Sequence, residues 1–283
     1  MTWKIAVAGT LHRDDATTPE QRHESFGGSA VYFALAAARH APVLLNGIVG
    51  ADTAADHRAL FEGQPVDLRG MVVSDRPTLR WHVVHDFDHW VTAHESAEEG
   101  CDPEWVPSLN DESRNAEVLF LASLRPELQR GVLEQSRAKL IGADSMTVFI
   151  ASRGADVRAM ALASDVLFLN ESELAALTGE VDWRRAAQSM CGRGRLRAVV
   201  VKRGPLGAGC VTAAGVVEAQ AHTVTRVVDP TGAGDALAGG FLGLCAGNER
   251  DDLDFFAAAL QEGVRSAAGA ITAFGAADMR RPT

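Results

Sequence analysis

Tyrosine is almost missing from this 283-residue chain, which has one, and cysteine is scarce, with four. Cys101, Cys191, Cys210 and Cys245 lie far apart and form no C-x-x-C pair, which excludes a zinc cluster or a disulfide framework. No uncharged apolar run approaches the ~18 residues of a membrane span, and "MTWKIAVAGT" has neither the charged n-region nor the apolar h-region of a signal peptide. A cytoplasmic location is the expectation. Positive charge is in deficit, with 27 Lys and Arg against 37 Asp and Glu and a net charge of −10. Such a chain repels polyphosphate backbones and anionic bilayers, so neither a nucleic-acid partner nor a membrane partner is expected. There is no G-x-x-x-x-G-K-[ST] phosphate loop, and a G-x-G-x-x-G dinucleotide fingerprint starting at Gly232 fails because position 237 is Leu237. A nicotinamide oxidoreductase and a P-loop ATPase both lose support. Fixed-period repeats and low-complexity linkers are also missing, which predicts one domain over residues 1–283.

What is present is a rhythm. Short apolar runs at 5–8, 43–48, 118–121, 140–143, 166–169 and 198–201 recur along the chain, many of them followed by a helical pattern. The helical stretches include 29–40, 125–138, 171–179 and 253–271. The alternation predicts βαβ units, hence an α/β fold with a mostly parallel central sheet between helices. Residues 78–95, "TLRWHVVHDFDHWVTAHE", break the rhythm and predict a hairpin projecting from the body as a small sheet.

The chemistry concentrates in "VVDPTGAGDALAGGF", residues 227–241. Gly232, Ala233 and Gly234 precede an apolar helical segment, so their N–H groups are expected as open donors at a helix start, a place that attracts anions. Nothing bulky at these three positions bars a phosphate from the backbone. Asp235 then falls beside that anion, where a carboxylate can take a hydroxyl proton while the N–H groups hold the charge of a transferring phosphoryl group. A glycine-rich turn that merely caps a packed helix is the plainer alternative.

"DPTGAGD" resembles the C-terminal signature of the ribokinase-like carbohydrate kinases, the PfkB family. Gly27-Gly28 before a helix, "GIVGAD" (47–52), "NESE" (170–173), "KRGPLGAG" (202–209) and "AAGAITAFGA" (267–276) follow the family order over nearly the whole chain. The resemblance implies a three-layer α/β/α ribokinase-like fold with a small β-sheet lid, and an ATP-dependent phosphotransferase acting on an alcohol group. It assigns Asp235 as catalytic base and Gly232, Ala233 and Gly234 as the anion hole. Asn170 and Glu173 match the N-x-x-E element that holds Mg2+ through its waters. Lys202, Gly204 and Gly207 fall where strand and turn pass the nucleotide. Asp229 and the carbonyls of Thr231, Ala270, Ala273 and Gly275 match a monovalent-cation loop, which implies K+. Pro230 stands where the family more often has threonine, between two ligand positions.

On the acceptor side the resemblance implies Asp14 as a ligand of substrate hydroxyls, with Asp15 its rival, and Gly28 where the backbone closely approaches the acceptor. Tyr32 stands where many sugar kinases carry asparagine, and its phenol is read as substrate-binding in a site turned away from ribose. Asp144 occupies a further position near the acceptor, or caps the turn after its strand. Four histidines, His82, His85, His89 and His94, fall in the hairpin; period two sends His82 and His85 to opposite faces, which favours polar lid residues over a metal cluster. Trp81 and Trp90 cover a substrate there or pack the lid on the body or on a second subunit, a homodimer through the lid. Only twelve residues separate Asp14 from Gly27, which predicts a small lid over a compact acceptor. The expected acceptor is a monosaccharide or cyclitol, with nucleosides second, and a non-catalytic sugar or nucleotide sensor is the reading from another class.

Overall fold

The computed structural model of the chain describes residues 4–87 and 91–280. Thirteen strands divide between two sheets. The main sheet has nine strands in the order β13-β12-β11-β10-β9-β8-β1-β4-β5. They span Ile5–Ala8 (β1), Val43–Gly50 (β4), Val66–Ser74 (β5), Val118–Leu121 (β8), Leu140–Asp144 (β9), Val166–Asn170 (β10), Ala198–Lys202 (β11), Ala208–Thr212 (β12) and Gly215–Ala219 (β13). All neighbours run parallel except β11-β12 and β12-β13, which close one side with a meander.

The central strands read as continuous apolar runs because helices cover both faces. Alternation still sorts their side chains: Ile5 and Val7 join one core cluster, Ala6 and Ala8 another. The first face packs against α1 (Ser29–Ala37), α2 (Ala54–Leu60), α8 (Ala233–Cys245) and α9 (Leu253–Ala270). The second packs against α4 (Pro126–Gln135), α5 (Thr147–Ala163), α6 (Glu171–Thr178) and α7 (Trp183–Met190), while the single turn of α3 (Asp111–Arg114) sets Ser113 against Asn46. This is the three-layer α/β/α arrangement.

The second sheet has the order β3-β2-β6-β7, from His12–Thr17 (β2), Arg22–Gly27 (β3), Arg80–Asp86 (β6) and Val91–Glu98 (β7). The hairpin expected at 78–95 is β6 and β7. It does not stand alone, because β2 runs parallel to β6 and the β2–β3 hairpin supplies half of the sheet. β2 and β3 are absent from the sequence reading because "HRDDAT" and "RHESFG" carry too few apolar residues to register as strands. The edge strand β5 and the short β12 and β13 escape it because a glycine interrupts or bounds each apolar run.

An aromatic chain crosses the first core face. Phe33 stacks on Phe120 at 4.2 Å, Phe120 meets Phe168 edge-on at 5.9 Å, and Phe168 meets Phe241 edge-on at 5.5 Å. Phe168 thus ties β10 to α8, the helix that opens with the glycine stretch. Phe168→Ala should cost about 3–5 kcal/mol of unfolding free energy, measured by chemical denaturation. A loss under about 1 kcal/mol, as for an exposed position, would contradict this assignment of the core.

Candidate active site

A cavity of about 700 Å³ lies between the small sheet and the C-terminal ends of the parallel strands. That is where open α/β sheets place their ligands. Its lining includes Gly28, Tyr32 and His12 together with Gly234, Asp235, Asp144, Glu173 and Lys202.

Gly232 is the N-cap of α8 with φ 75°. A Cβ there would come within 2.2 Å of the Tyr32 ring, so both the left-handed backbone and the space demand glycine. The expected anion hole needs one correction. Ala233 N–H already bonds to Pro230 O at 3.2 Å in the turn that starts the helix, whereas those of Gly232, Gly234 and Asp235 make no hydrogen bond within the described residues. The open donors are therefore 232, 234 and 235, and Ala233 shapes the turn.

Asp235 follows in the first turn, partly exposed to the cavity and otherwise enclosed. Burial pushes its pKa up to about 8, the negative charges of Asp144 and Glu173 add to the shift, and Lys202 and His12 oppose it. Three parallel strands end beneath it. Asp144 closes β9 and Lys202 closes β11, and their side chains pair at 2.7 Å. Glu173 stands one turn beyond the end of β10. Burial pulls the Lys202 ammonium down, but Asp144 and Glu173 outweigh it and hold it well above the lysine range. A Cβ on Gly234 would lie 3.0 Å from Lys202 Nζ, so this cation sits directly under the open end of α8.

Asn170 and Glu173 form a reciprocal cap. Asn170 Oδ1 accepts from the Glu173 N–H and Glu173 Oε2 accepts from the Asn170 N–H, both at 2.8 Å. Burial raises Glu173 to about 6; Lys202 opposes the shift and Asp144 reinforces it. Asp144 is thereby placed with Lys202 and Glu173, and its Oδ1 also accepts from Ser145 N–H at 2.7 Å, the turn-capping alternative. Gly204 and Gly207 bracket the turn leading out of β11, and Gly204 reaches the cavity.

Asp229 is buried. Its Oδ1 accepts from Thr231 N–H at 2.9 Å, and its Oδ2 has no partner. The loop after α9 closes on it, since Val228 N–H donates to Ile271 O at 2.8 Å. Gly275, at φ 66°, abuts Ser25 of β3. Ala270 ends α9 and Ala273 lies in the loop that follows it.

β2 separates the two candidate aspartates. Asp14 is fully buried on the inner face, with Oδ1 2.8 Å from His12 Nδ1 and Oδ2 without a hydrogen-bond partner. Asp15 points outward and is held by Arg22 and, at 3.0 Å, His82. Tyr32 corrects the sequence reading in part: its ring supports Gly232 and lies against Gly27, and its hydroxyl is buried without a partner. Packing under the helix start explains a large ring in place of an amide. Trp81 lines the cavity, which favours substrate cover over subunit contact for that residue. His82 and His85 face opposite ways, as period two requires. His89 and Trp90 lie outside the described residues.

Sequence reasoning missed His12, Asp102, Trp105 and Arg125, all on the cavity wall. His12 carries a signal in hindsight, because i and i+2 of a strand share a face and Asp14 was already assigned. Asp102, pushed up to about 6 by burial against the pull of His12, opens a single 3-10 turn, Asp102–Glu104, too short to carry such a periodicity.

Residues 2–282 match the family described as pfkB family carbohydrate kinase. The cytidine kinase of Thermococcus kodakarensis (strain ATCC BAA-918 / JCM 12380 / KOD1) is 28% identical over 247 residues, 84% of this chain and 87% of that protein. A Burkholderia thailandensis nucleoside kinase, solved in complex with inosine, superposes with a TM-score of 0.80 at 19% identity, covering 96% of this chain and 93% of its own. A ribokinase from Cryptococcus neoformans var. grubii serotype A, in complex with ADP, gives 0.79 at 18% identity over 98% and 96%. No helix among the described residues is long and apolar enough to cross a membrane.

The raised Asp235 pKa has a sign that can be tested. The folded state keeps this proton to about pH 8, whereas an unfolded aspartate gives it up near its ordinary value of about 4. Between those values the folded state binds more protons, so the contribution of Asp235 to stability falls as pH rises and levels off above about 8. Asp235→Asn, neutral throughout, should therefore raise Tm over wild type at pH 8.5 and by much less at pH 5, in the absence of nucleotide and Mg2+. Parallel Tm profiles for the two proteins would remove the burial argument.

Proposed function

Since the chain belongs to the pfkB family of carbohydrate kinases, we propose that it is an ATP-dependent kinase whose acceptor is a nucleoside. The observation that carries this reading is the wall beyond His12, where Leu79, Trp81, Trp105 and Leu124 line the cavity. A nucleobase offers flat faces to such aromatic and apolar groups. A monosaccharide, hydroxylated on every side, gains less from these four side chains, although Asp102 and Arg125 stand on the same wall. The cytidine and nucleoside kinases among the relatives agree with it. The second reading is the monosaccharide or cyclitol expected from the sequence, favoured by the compact β2–β3 hairpin over the buried Asp14.

In this reading Asp14 binds acceptor hydroxyls through Oδ2, and Gly28 lets the acceptor approach the backbone. Asp235, in its ionised form, takes the proton of the attacking hydroxyl, which forms its new bond to the γ-phosphorus of ATP as the bond to the β-phosphate oxygen breaks. The open N–H groups of α8 and the Lys202 ammonium hold the charge spread over the transferring group. Gly204 and Gly207 turn the chain beside the nucleotide.

Three carboxyl groups, Asp144, Glu173 and Asp235, meet a single ammonium here, and a hard cation suits that excess of oxygen donors. Asn170 and Glu173 would hold Mg2+ through its waters, and the ion would neutralise phosphate charge. The orphaned, buried Oδ2 of Asp229 likewise fits a monovalent cation, proposed as K+, with the carbonyls of Thr231, Ala270, Ala273 and Gly275. A non-catalytic sensor has no need for the base.

Asp235→Asn should lower kcat by on the order of 10² to 10⁴ while ATP affinity, read by calorimetry, changes little. Unchanged turnover would sink the base, and no turnover by wild type on any acceptor would favour the sensor. Across pyrimidine and purine nucleosides, pentoses, hexoses and inositols, ADP release should be at least tenfold more efficient with one nucleoside, about 1.4 kcal/mol in transition-state binding. A tenfold preference for a sugar or cyclitol would replace the first reading by the second.

A further inference from the structure

The lid touches the anion-hole loop through a histidine that no step above uses. His85 lies in β6, is 8% exposed, and turns inward. Its Nε2 is 3.0 Å from Thr231 Oγ1 and 3.2 Å from Asp229 Oδ1. A carboxylate oxygen can only accept, so the favourable arrangement has Nε2–H donating across this pair. Asp229 Oδ1 in turn accepts from Thr231 N–H, so one imidazole holds both the side chain and, through Asp229, the backbone of the residue before Gly232.

Neighbouring contacts agree in direction. The β2–β3 turn reaches the same loop at its other end, where Glu20 pairs with Arg226 at the surface. On the far side β3 packs on the loop after α9: the His23 and Phe274 rings lie 4.8 Å apart and Ala276 N–H donates to Phe26 O at 3.3 Å. Strands of the lid thus grip both loops that frame Asp229, and within that grip His85 makes a buried polar link.

We infer that His85 is a positioning residue: it fixes the loop that presents the Gly232 and Gly234 N–H groups, so that the lid seats over the acceptor and the anion hole takes its working shape together. Displacing such groups by a fraction of an ångström is enough to weaken transition-state charge stabilisation, while the ground-state grip on nucleotide is little affected. His85 touches neither acceptor nor phosphate in this role. The inference rests on the kinase reading for its kinetic consequence and not for its structural one.

Three variants test it. His85→Phe keeps a ring of similar size and removes the donor; His85→Gln returns an amide donor near the position of Nε2; Thr231→Val removes the hydroxyl from the loop side and leaves the lid intact. His85→Phe and Thr231→Val should each lower kcat by about 10-fold to 100-fold with KM for ATP nearly unchanged. Their double variant should lose little more than either alone, and His85→Gln should recover most of the activity. Hydrogen exchange of the 227–235 amides, measured without acceptor or nucleotide, should rise in His85→Phe and stay near wild type in His85→Gln. Wild-type exchange and wild-type kcat in His85→Phe would overturn the inference, as would equal losses in the Phe and Gln variants or fully additive losses in the double variant. If His85→Phe does not fold, His85→Leu, which also removes the donor, takes its place in the cycle with Thr231→Val, and fully additive losses there overturn the inference. The exchange result stands even if no acceptor is turned over, which separates failure of this link from failure of the kinase reading.

Discussion

One ammonium group lies where three carboxyl groups converge, and the active end of the molecule is arranged around that imbalance. Lys202 is fixed by Asp144 at 2.7 Å, and Glu173 and Asp235 lie within its field. Full ionisation of all three acids in so enclosed a place is unfavourable, which is why burial and mutual repulsion raise Glu173 and Asp235. The strain resolves when positive charge arrives. β9, β10 and β11 end side by side, so the parallel sheet itself gathers Asp144, Glu173 and Lys202 at one edge, and Asp235 comes to them from the first turn of α8. The open helix end above them provides for the opposite sign, since Gly232, Gly234 and Asp235 aim N–H groups into the same space.

That helix end depends on its underside. Tyr32 of α1 lies under Gly232, and α1 itself starts at Gly28, whose φ of 119° and lack of a Cβ let it pass within reach of Thr10 O. Two glycines and one ring therefore link the start of α1 to the start of α8. The backbone at Gly28 and the backbone at Gly232 share a wall of the cavity through this contact, and a change at Tyr32 is felt at both.

How much of this could be read beforehand varies by element in a physically sensible way. The buried parallel strands were legible because covering both faces with helices leaves continuous apolar runs, as at Val43–Gly50 and Val166–Asn170. The glycine stretch was legible as a helix start because few residues other than glycine accept the left-handed backbone found at Gly232. β2 and β3 were not, since their outer face is polar and their inner face serves a site rather than a core. Asp144 was set beside the acceptor because its partner, Lys202, lies 58 residues away in sequence and only the β9-β10-β11 register brings them together. Tyr32 was read as a hydroxyl when its ring is what the fold uses. Asp102 and Trp105 come from a single 3-10 turn and its cap, too short for a period to relate a residue to the face it will occupy.

The outward side of the lid carries ion pairs in place of apolar side chains: Glu24 between Arg13 and Arg80, and Asp15 between Arg22 and His82, with Glu98 beyond. That surface remains hydrated wherever the lid stands. Any dehydration that accompanies acceptor capture must then come from the cavity side, from Leu79, Trp81 and Val83 and from Trp105 and Leu124. The calorimetric mark of capture is accordingly a negative heat-capacity change set by those few side chains, with little from the charged face to offset it.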